Sequence, residues 1–154
     1  MISKKEHLFT VFENLMKIKG KCSCEILSEC GLPDITVKQI GYLRAIDGHE
    51  EVTFSKLAKI TKNSKPTITQ MINKFVNFEC VYREKCQNDG RVIYIHLTEK
   101  GQMVARSEEH SLMKIIEKMI TLLDEREIDS LIEILEKIRC IFLVDLILRL
   151  SLTK

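Results

Sequence analysis

Leu8, Phe12, Leu15, Ile18, Cys22, Ile26 and Cys30 recur every three or four residues, the spacing that lines side chains along one helix face. The pattern predicts a long helix over about residues 5–30, weakly interrupted at Gly20 and stopped by Gly31 and Pro33. A second helix begins at Thr36-x-x-Gln39, which has capping-box spacing with Ile35 as a staple residue, and runs through Ile40, Leu43 and Ile46 to the Asp47-Gly48 turn. "EVTF" reads as a minor strand leading into a third helix, "SKLAKIT". Asn63 or Ser64 then caps a fourth helix, with Pro66 in the first turn where its missing N–H costs little. That helix buries Ile68, Met71 or Ile72, and Phe75, and turns Lys65, Thr67, Thr69, Gln70 and Lys74 outward.

After a strand around Val81 to Lys85 the period changes to two. Arg91, Ile93, Ile95 and Leu97 alternate with Val92, Tyr94 and His96, the signature of a strand with one buried face. Asp89-Gly90 before it is a hairpin turn signal, and Asp89 stands close enough in sequence to orient the Arg91 guanidinium. Thr98 and Glu99 then open a helix predicted to run to about Leu123, and Asp124-x-x-Glu127 caps a last one.

Helix, helix, strand, helix, helix, hairpin is the order of a winged helix. The expected fold is therefore mainly α (α+β): a winged helix-turn-helix lobe at residues 36–98 within a single domain spanning 1–154. The helices at 1–31 and 99–154 are left for dimerisation. The fourth helix carries small polar and basic residues suited to base edges and phosphates. The charged hairpin tip can reach an adjacent minor groove, whose negative potential favours arginine.

Charge sharpens this picture. The net value is only +2, yet Thr53 to Arg91 holds eight basic and three acidic residues. A basic centre within acidic flanks points to a polyanion, although lysines on a solvated helix face would give the same count. The 154-residue length suits one domain with a real core. The amino terminus has apolar residues at helical spacing and no continuous apolar run, so neither a signal peptide nor a membrane span is expected and the protein reads as cytoplasmic.

The hairpin residues "DGRVIYIHLTEKG" resemble the wing of the multiple antibiotic resistance regulator (MarR) family, in which Asp-x-Arg, five residues, Leu-Thr and a nearby Gly are met by Asp89, Arg91, Leu97, Thr98 and Gly101. "NSKPTITQMINKFV" is similar to that family's recognition helix, with Ser64, Pro66, Thr67, Thr69 and Gln70 in place, and Arg83 stands where a family arginine does. The likeness covers nearly the whole chain. It implies a homodimeric transcription regulator, a repressor relieved by a small aromatic or lipophilic anionic effector, binding double-stranded DNA through Ser64, Lys65, Thr67, Thr69, Gln70, Lys74, Asp89 and Arg91. Two positions depart from the pattern. Glu79 replaces a family Gly after the recognition helix, so either the helix ends differently or Glu79 takes a left-handed conformation. Gly90 replaces a polar or basic wing residue.

"IRCIFLVDLILRL" is apolar on nearly every side, which a monomer surface tolerates poorly. It is interrupted by Asp145 and Arg149 and is shorter than the roughly 18 apolar residues of a membrane span. A subunit interface with the first helix accounts for it, through Leu8, Phe12, Ile141, Phe142, Leu146 and Leu148; a deep intramolecular core would do so too. A twofold dimer would read a pseudo-palindromic operator. Cys22 and Cys24 point to different sides of the first helix, while Cys22 and Cys30 share a face but lie roughly 12 Å apart by helical rise. Cys80 and Cys86 are separated by up to roughly 20 Å of extended chain. The six cysteines thus read first as inert thiols, with Cys22, Cys24 and Cys30 as the candidates for redox sensing and a metal-responsive regulator as the lesser alternative. His7, His49, His96 and His110 lack ligand spacing, so no metal or cofactor is expected. No nucleophile elbow, phosphate loop or paired-carboxylate constellation suggests catalysis. A thiol oxidoreductase and a winged-helix protein-docking module are the rivals from other classes.

Overall fold

The computed structural model of the chain describes residues 3–151, with side chains for residues 3–143. Its elements are α1 (Lys4–Glu29), α2 (Val37–Asp47), α3 (Phe54–Thr61), α4 (Lys65–Asn77), β1 (Val81–Lys85), β2 (Ile93–Leu97), α5 (Glu99–Ala105), α6 (Ser107–Leu122) and α7 (Glu125–Ser151). The helix starts follow local chemistry. Thr36 Oγ1 accepts from the Gln39 N–H at 3.2 Å while the Thr36 N–H donates to Gln39 Oε1 at 2.9 Å, so both amides of the expected capping box are satisfied. Ser3 and Glu6 form the same box at α1. Ser64, not Asn63, caps α4, accepting from the Thr67 N–H at 3.3 Å with Pro66 in the first turn. Asn63 instead donates from its amide to the Thr61 carbonyl at 2.7 Å.

Three helix ends share one device. At α1, α3 and α4 the residue after the last helical turn lies in the left-handed region, namely Gly31 (φ 71), Lys62 (φ 53) and Glu79 (φ 59). In each, the next N–H reaches back to a carbonyl five residues earlier: Leu32 to Leu27, Asn63 to Ala58, and Cys80 to Phe75. This is the Schellman arrangement. Glu79 therefore does accept the strain that a glycine would have avoided.

The chain falls into two compact units, Met1–Met113 and Lys114–Lys154. In the first, Leu43 of α2, Leu57 of α3 and Ile68, Ile72 and Phe75 of α4 are fully buried together with Ile95 of β2 and Val104 of α5. Each such side chain contributes about 1.5–3 kcal/mol of transfer free energy, so the core sits directly behind α4 and fixes its orientation. Met71 is only partly buried. The antiparallel pair β1–β2 runs in the register Val81↔Leu97 to Lys85↔Ile93. Where α1 meets the start of α6, Ser23 Oγ donates to Ser111 Oγ at 3.0 Å and Ser111, fully buried, donates to the Glu108 carbonyl at 2.8 Å.

Three expectations are corrected. "EVTF" forms no strand of its own: Thr53 makes a single bridge to Tyr94, and the chain then enters α3 at Phe54 with Thr53 Oγ1 accepting from the Lys56 N–H as its cap. The second hairpin strand starts at Ile93, not Arg91. Gly90 does not take the positive φ of a tight Asp-Gly turn, and a wider loop closes instead through Cys86 N–H to the Val92 carbonyl (2.9 Å) and Val92 N–H to the Asp89 carbonyl (3.0 Å). Finally, the helix expected from Thr98 to about Leu123 breaks at Arg106 (φ −100, ψ 14) into α5 and α6. The cause is long-range: Arg44 Nε takes the Ala105 carbonyl at 3.1 Å and Arg106 grips Asp47 with two bonds of 2.7 and 2.9 Å, which draws a carbonyl out of the helical ladder.

In the second unit, α7 is capped as expected: Glu127 N–H donates to Asp124 Oδ1 (2.9 Å) and Asp124 N–H to Glu127 Oε2 (3.0 Å). Among the described residues no helix is long and apolar enough to cross a membrane.

Candidate nucleic-acid interface

With Ile68, Ile72 and Phe75 turned into the core, helical geometry sends Pro66, Gln70, Asn73 and Asn77 outward along one stripe, with Thr69 and Lys74 at its edges. Ser64, Lys65, Thr69, Gln70 and Lys74 are exposed and Thr67 is half-buried. The α4 sequence holds no carboxylate, so the only formal charges on this face are the positive ones of Lys65 and Lys74. Several of its side chains are held. Ser64 Oγ and Thr67 Oγ1 share a hydrogen at 2.8 Å, Thr69 donates its hydroxyl to the Lys65 carbonyl at 3.0 Å, and the Lys74 ammonium lies 5.4 Å from the centre of the Phe78 ring. The expected contact residues of α4 are thus brought onto one surface.

Asn73 belongs to that surface and was missed by the sequence reading, although a helical projection places it one turn beyond Thr69. Its Oδ1 accepts a hydrogen bond from Arg83 Nη2 of β1. The same guanidinium lies 5.5 Å from the Phe54 ring centre at the start of α3. Arg83 therefore touches the first helix of the helix-turn-helix, the second helix and the hairpin at once.

At the hairpin tip Asp89 and Arg91 are both exposed. Asp89 Oδ1 accepts the Arg91 backbone N–H at 3.0 Å, so Asp89 shapes the turn and not, as expected, the guanidinium. The other end of the hairpin is joined to α4 and α5 by backbone. Thr98 N–H donates to the Cys80 carbonyl (3.0 Å) and Thr98 Oγ1 to the Glu79 carbonyl (2.6 Å), while that hydroxyl accepts from Gly101 N–H (3.0 Å) as the cap of α5. A Cβ on Gly101 would sit 1.9 Å from the Cys80 carbonyl oxygen. The Leu-Thr-x-x-Gly part of the wing pattern is accordingly a weld between the end of α4 and the start of α5.

Leu8 and Phe12 on α1 are exposed, as are Phe9 and Met16 beside them. On α7, Ile141 and Phe142 are 64% and 70% exposed. Leu146 and Leu148 lie outside the described side chains. Of the redox candidates, Cys24 is exposed and Cys22 and Cys30 are half-buried, and burial pushes the Cys30 thiol up. The thiol pulled down is Cys86, in the wing loop, through hydrogen bonds from the backbone at Asp89 and Asn88 and a lesser one from Tyr94. Spacing along the sequence held no sign of it, since the loop creates those contacts.

Three solved structures share this architecture. The S. aureus MepR–DNA complex matches at TM-score 0.63 and 22% identity, covering 88% of this chain and 98% of that one. S. aureus MepR bound to ethidium bromide matches at 0.64 and 20%, covering 92% and 97%. Streptococcus pneumoniae FabT in complex with DNA matches at 0.50 and 27%, covering 92% and 96%. These are MarR-type winged-helix regulators, as the wing and recognition-helix motifs led one to expect. No curated protein sequence matches the chain. A family model described as transcriptional regulator SarA/Rot matches residues 27–107, more than half of the chain. The winged helix built from α2 to β2 is therefore that of a regulator, and the chain belongs to the SarA/Rot family of transcriptional regulators.

Proposed function

We propose that the protein is a homodimeric, sequence-specific DNA-binding regulator, a repressor relieved by a small ligand, that acts in the cytoplasm and carries out no catalysis. The single observation that carries the reading is the carboxylate-free outward face of α4, presented by a capped helix-turn-helix beside a hairpin tipped with Arg91. In this reading residues 36–98 meet the DNA. Ser64, Lys65, Thr67, Thr69, Gln70 and Lys74 enter a major groove, and Asp89 sets the turn from which Arg91 reaches the adjacent minor groove. Residues 1–31 and 99–154 pair two copies. The exposed apolar side chains of α1, and separately those of α7, support this, since monomers seldom leave such surfaces open. The two DNA complexes among the structural relatives support a duplex partner, and a pseudo-palindromic operator follows from twofold symmetry. MepR with ethidium, a flat aromatic cation, supports an aromatic effector and gives no preference for an anionic one.

Fluorescence anisotropy with the DNA upstream of the protein's own gene tests the reading, with sedimentation on the same sample. Tight binding of one dimer per site, steeply weakened by salt, is the expected result. A monomer at micromolar concentration, or equal affinity for that DNA and random duplexes, would overturn it.

A further inference from the structure

Arg83 does more to Asn73 than hold it still. A guanidinium only donates hydrogen bonds, so the atom facing it must be the amide oxygen. With Oδ1 turned to Arg83, the other end of the amide is its NH2 group, a donor that makes no hydrogen bond among the described residues. A free asparagine reads adenine bidentately, accepting from N6 and donating to N7. The oxygen keeps a second lone pair, but its bond to Arg83 turns it toward β1, so Asn73 offers a base edge the donating half of that pattern. We infer that Asn73 is a specificity-determining residue that reads an acceptor edge, guanine first, and that Arg83 is the positioning residue that withholds adenine from it. Guanine offers O6 and N7 side by side in the major groove, whereas cytosine offers an N4 donor that the amide hydrogens would oppose. The geometry favours this use: Asn73 lies in the middle of the outward stripe of α4, and Arg83 is braced against the Phe54 ring so that its grip comes from a fixed point. Because Arg83 sits on β1, the hairpin contributes to base choice in the major groove through Asn73, quite apart from anything its tip touches.

The inference rests on the DNA-contact reading above, and the experiment separates the two. Full-length wild type, Asn73→Ala, Arg83→Met, the double variant and Gln70→Ala are each used to select binding sites from a randomised duplex library, and preferences are compared position by position. The wild type should favour guanine and reject cytosine at one position in each half-site. Asn73→Ala should level that position to within about twofold, leaving the others intact. Arg83→Met keeps an alkyl stem near Phe54 and frees Oδ1. It should raise the adenine-to-guanine ratio at the same position by about fivefold, the worth of one hydrogen bond, and the double variant should show the Asn73→Ala profile. Should Arg83→Met weaken all sequences alike with no change in any ratio, Arg83 is a backbone contact and the inference falls. An Asn73→Ala profile identical to wild type overturns it as well, and this arm decides the matter even if Arg83→Met folds poorly, since alanine suits an exposed helical site. Gln70→Ala reports on the parent reading: it should level a different position, and a wild type that selects no sequence at all would sink DNA recognition itself.

Discussion

Gly101→Ala subjects the weld between α4 and α5 to a direct load. The new methyl carbon would lie 1.9 Å from the Cys80 carbonyl oxygen, 2.9 Å from its carbon and 3.2 Å from its Cα. Ordinary carbon–oxygen approaches are about 3.3 Å or more, so α5 must withdraw by on the order of 1.5 Å. Thr98 is the residue next in line. Its N–H bond to Cys80 at 3.0 Å and its hydroxyl bond to Glu79 at 2.6 Å would both stretch past hydrogen-bonding range, at about 1 kcal/mol each. Forcing backbone apart in a packed region adds about 1–3 kcal/mol, and the better helix propensity of alanine returns about 1 kcal/mol. The net loss is about 2–4 kcal/mol, a fall in melting temperature of roughly 6–15 °C for a chain of this size. Thermal and urea melts followed by circular dichroism, at matched protomer concentration because dimerisation contributes to stability, measure it. Gly90→Ala is the control: nothing lies within 4 Å of its would-be Cβ, and it should stay within about 0.5 kcal/mol. If Gly101→Ala costs no more than Gly90→Ala, the close approach does not govern this junction.

Arg91→Ala should make the slope of log affinity against log salt shallower by roughly one unit and weaken binding to A·T-rich flanks most, with stability held within about 0.5 kcal/mol; an unchanged slope would mean that the wing tip does not touch DNA. Glu79→Gly should stabilise by about 0.5–1 kcal/mol, because relief of a left-handed side chain worth about 1–2 kcal/mol outweighs glycine's extra unfolded-state freedom, and destabilisation in urea melts would contradict the cap described above. The lowered Cys86 thiol should be half-ionised at a lower pH than an ordinary thiol, so its alkylation rate should climb to its plateau earlier on a pH profile than those of Cys30 and Cys80, whose thiols burial pushes up. Peptide mapping by mass spectrometry reads this out, and a common midpoint for all three would refute it.

How far the sequence could be read depended on the distance between the groups involved. The capping boxes at Thr36 and Asp124 and the cap at Ser64 join residues three apart, so spacing announced them, with only the choice between Asn63 and Ser64 left open. The buried face of α4 was equally plain from its period, apart from the choice between Met71 and Ile72. By contrast, the break at Arg106 is made by Asp47, 59 residues earlier, and by Arg44, 61 residues before Ala105, and no local signal of helix termination precedes it. The Asp-Gly turn failed for a related reason: pairing of Cys86 with Val92 fixes a wider loop and overrides the dipeptide's own preference. In the candidate site the residue types were legible, but not the engagement of Asn73 by Arg83, which exists only once strand and helix are side by side.

The hydroxyl pair Ser23–Ser111 restricts how α1 can move against the start of α6. Sliding one helix past the other by a single turn, about 5.4 Å, would carry the two hydroxyls out of reach and cost the bond between them, about 0.5–1.5 kcal/mol, while Ser111 keeps its own bond to the Glu108 carbonyl. Rotation about that point keeps the bond. Shear at this contact is therefore disfavoured while hinging is permitted, and any change of state transmitted along α1 should arrive at α6 as a change of angle with the helices still in register.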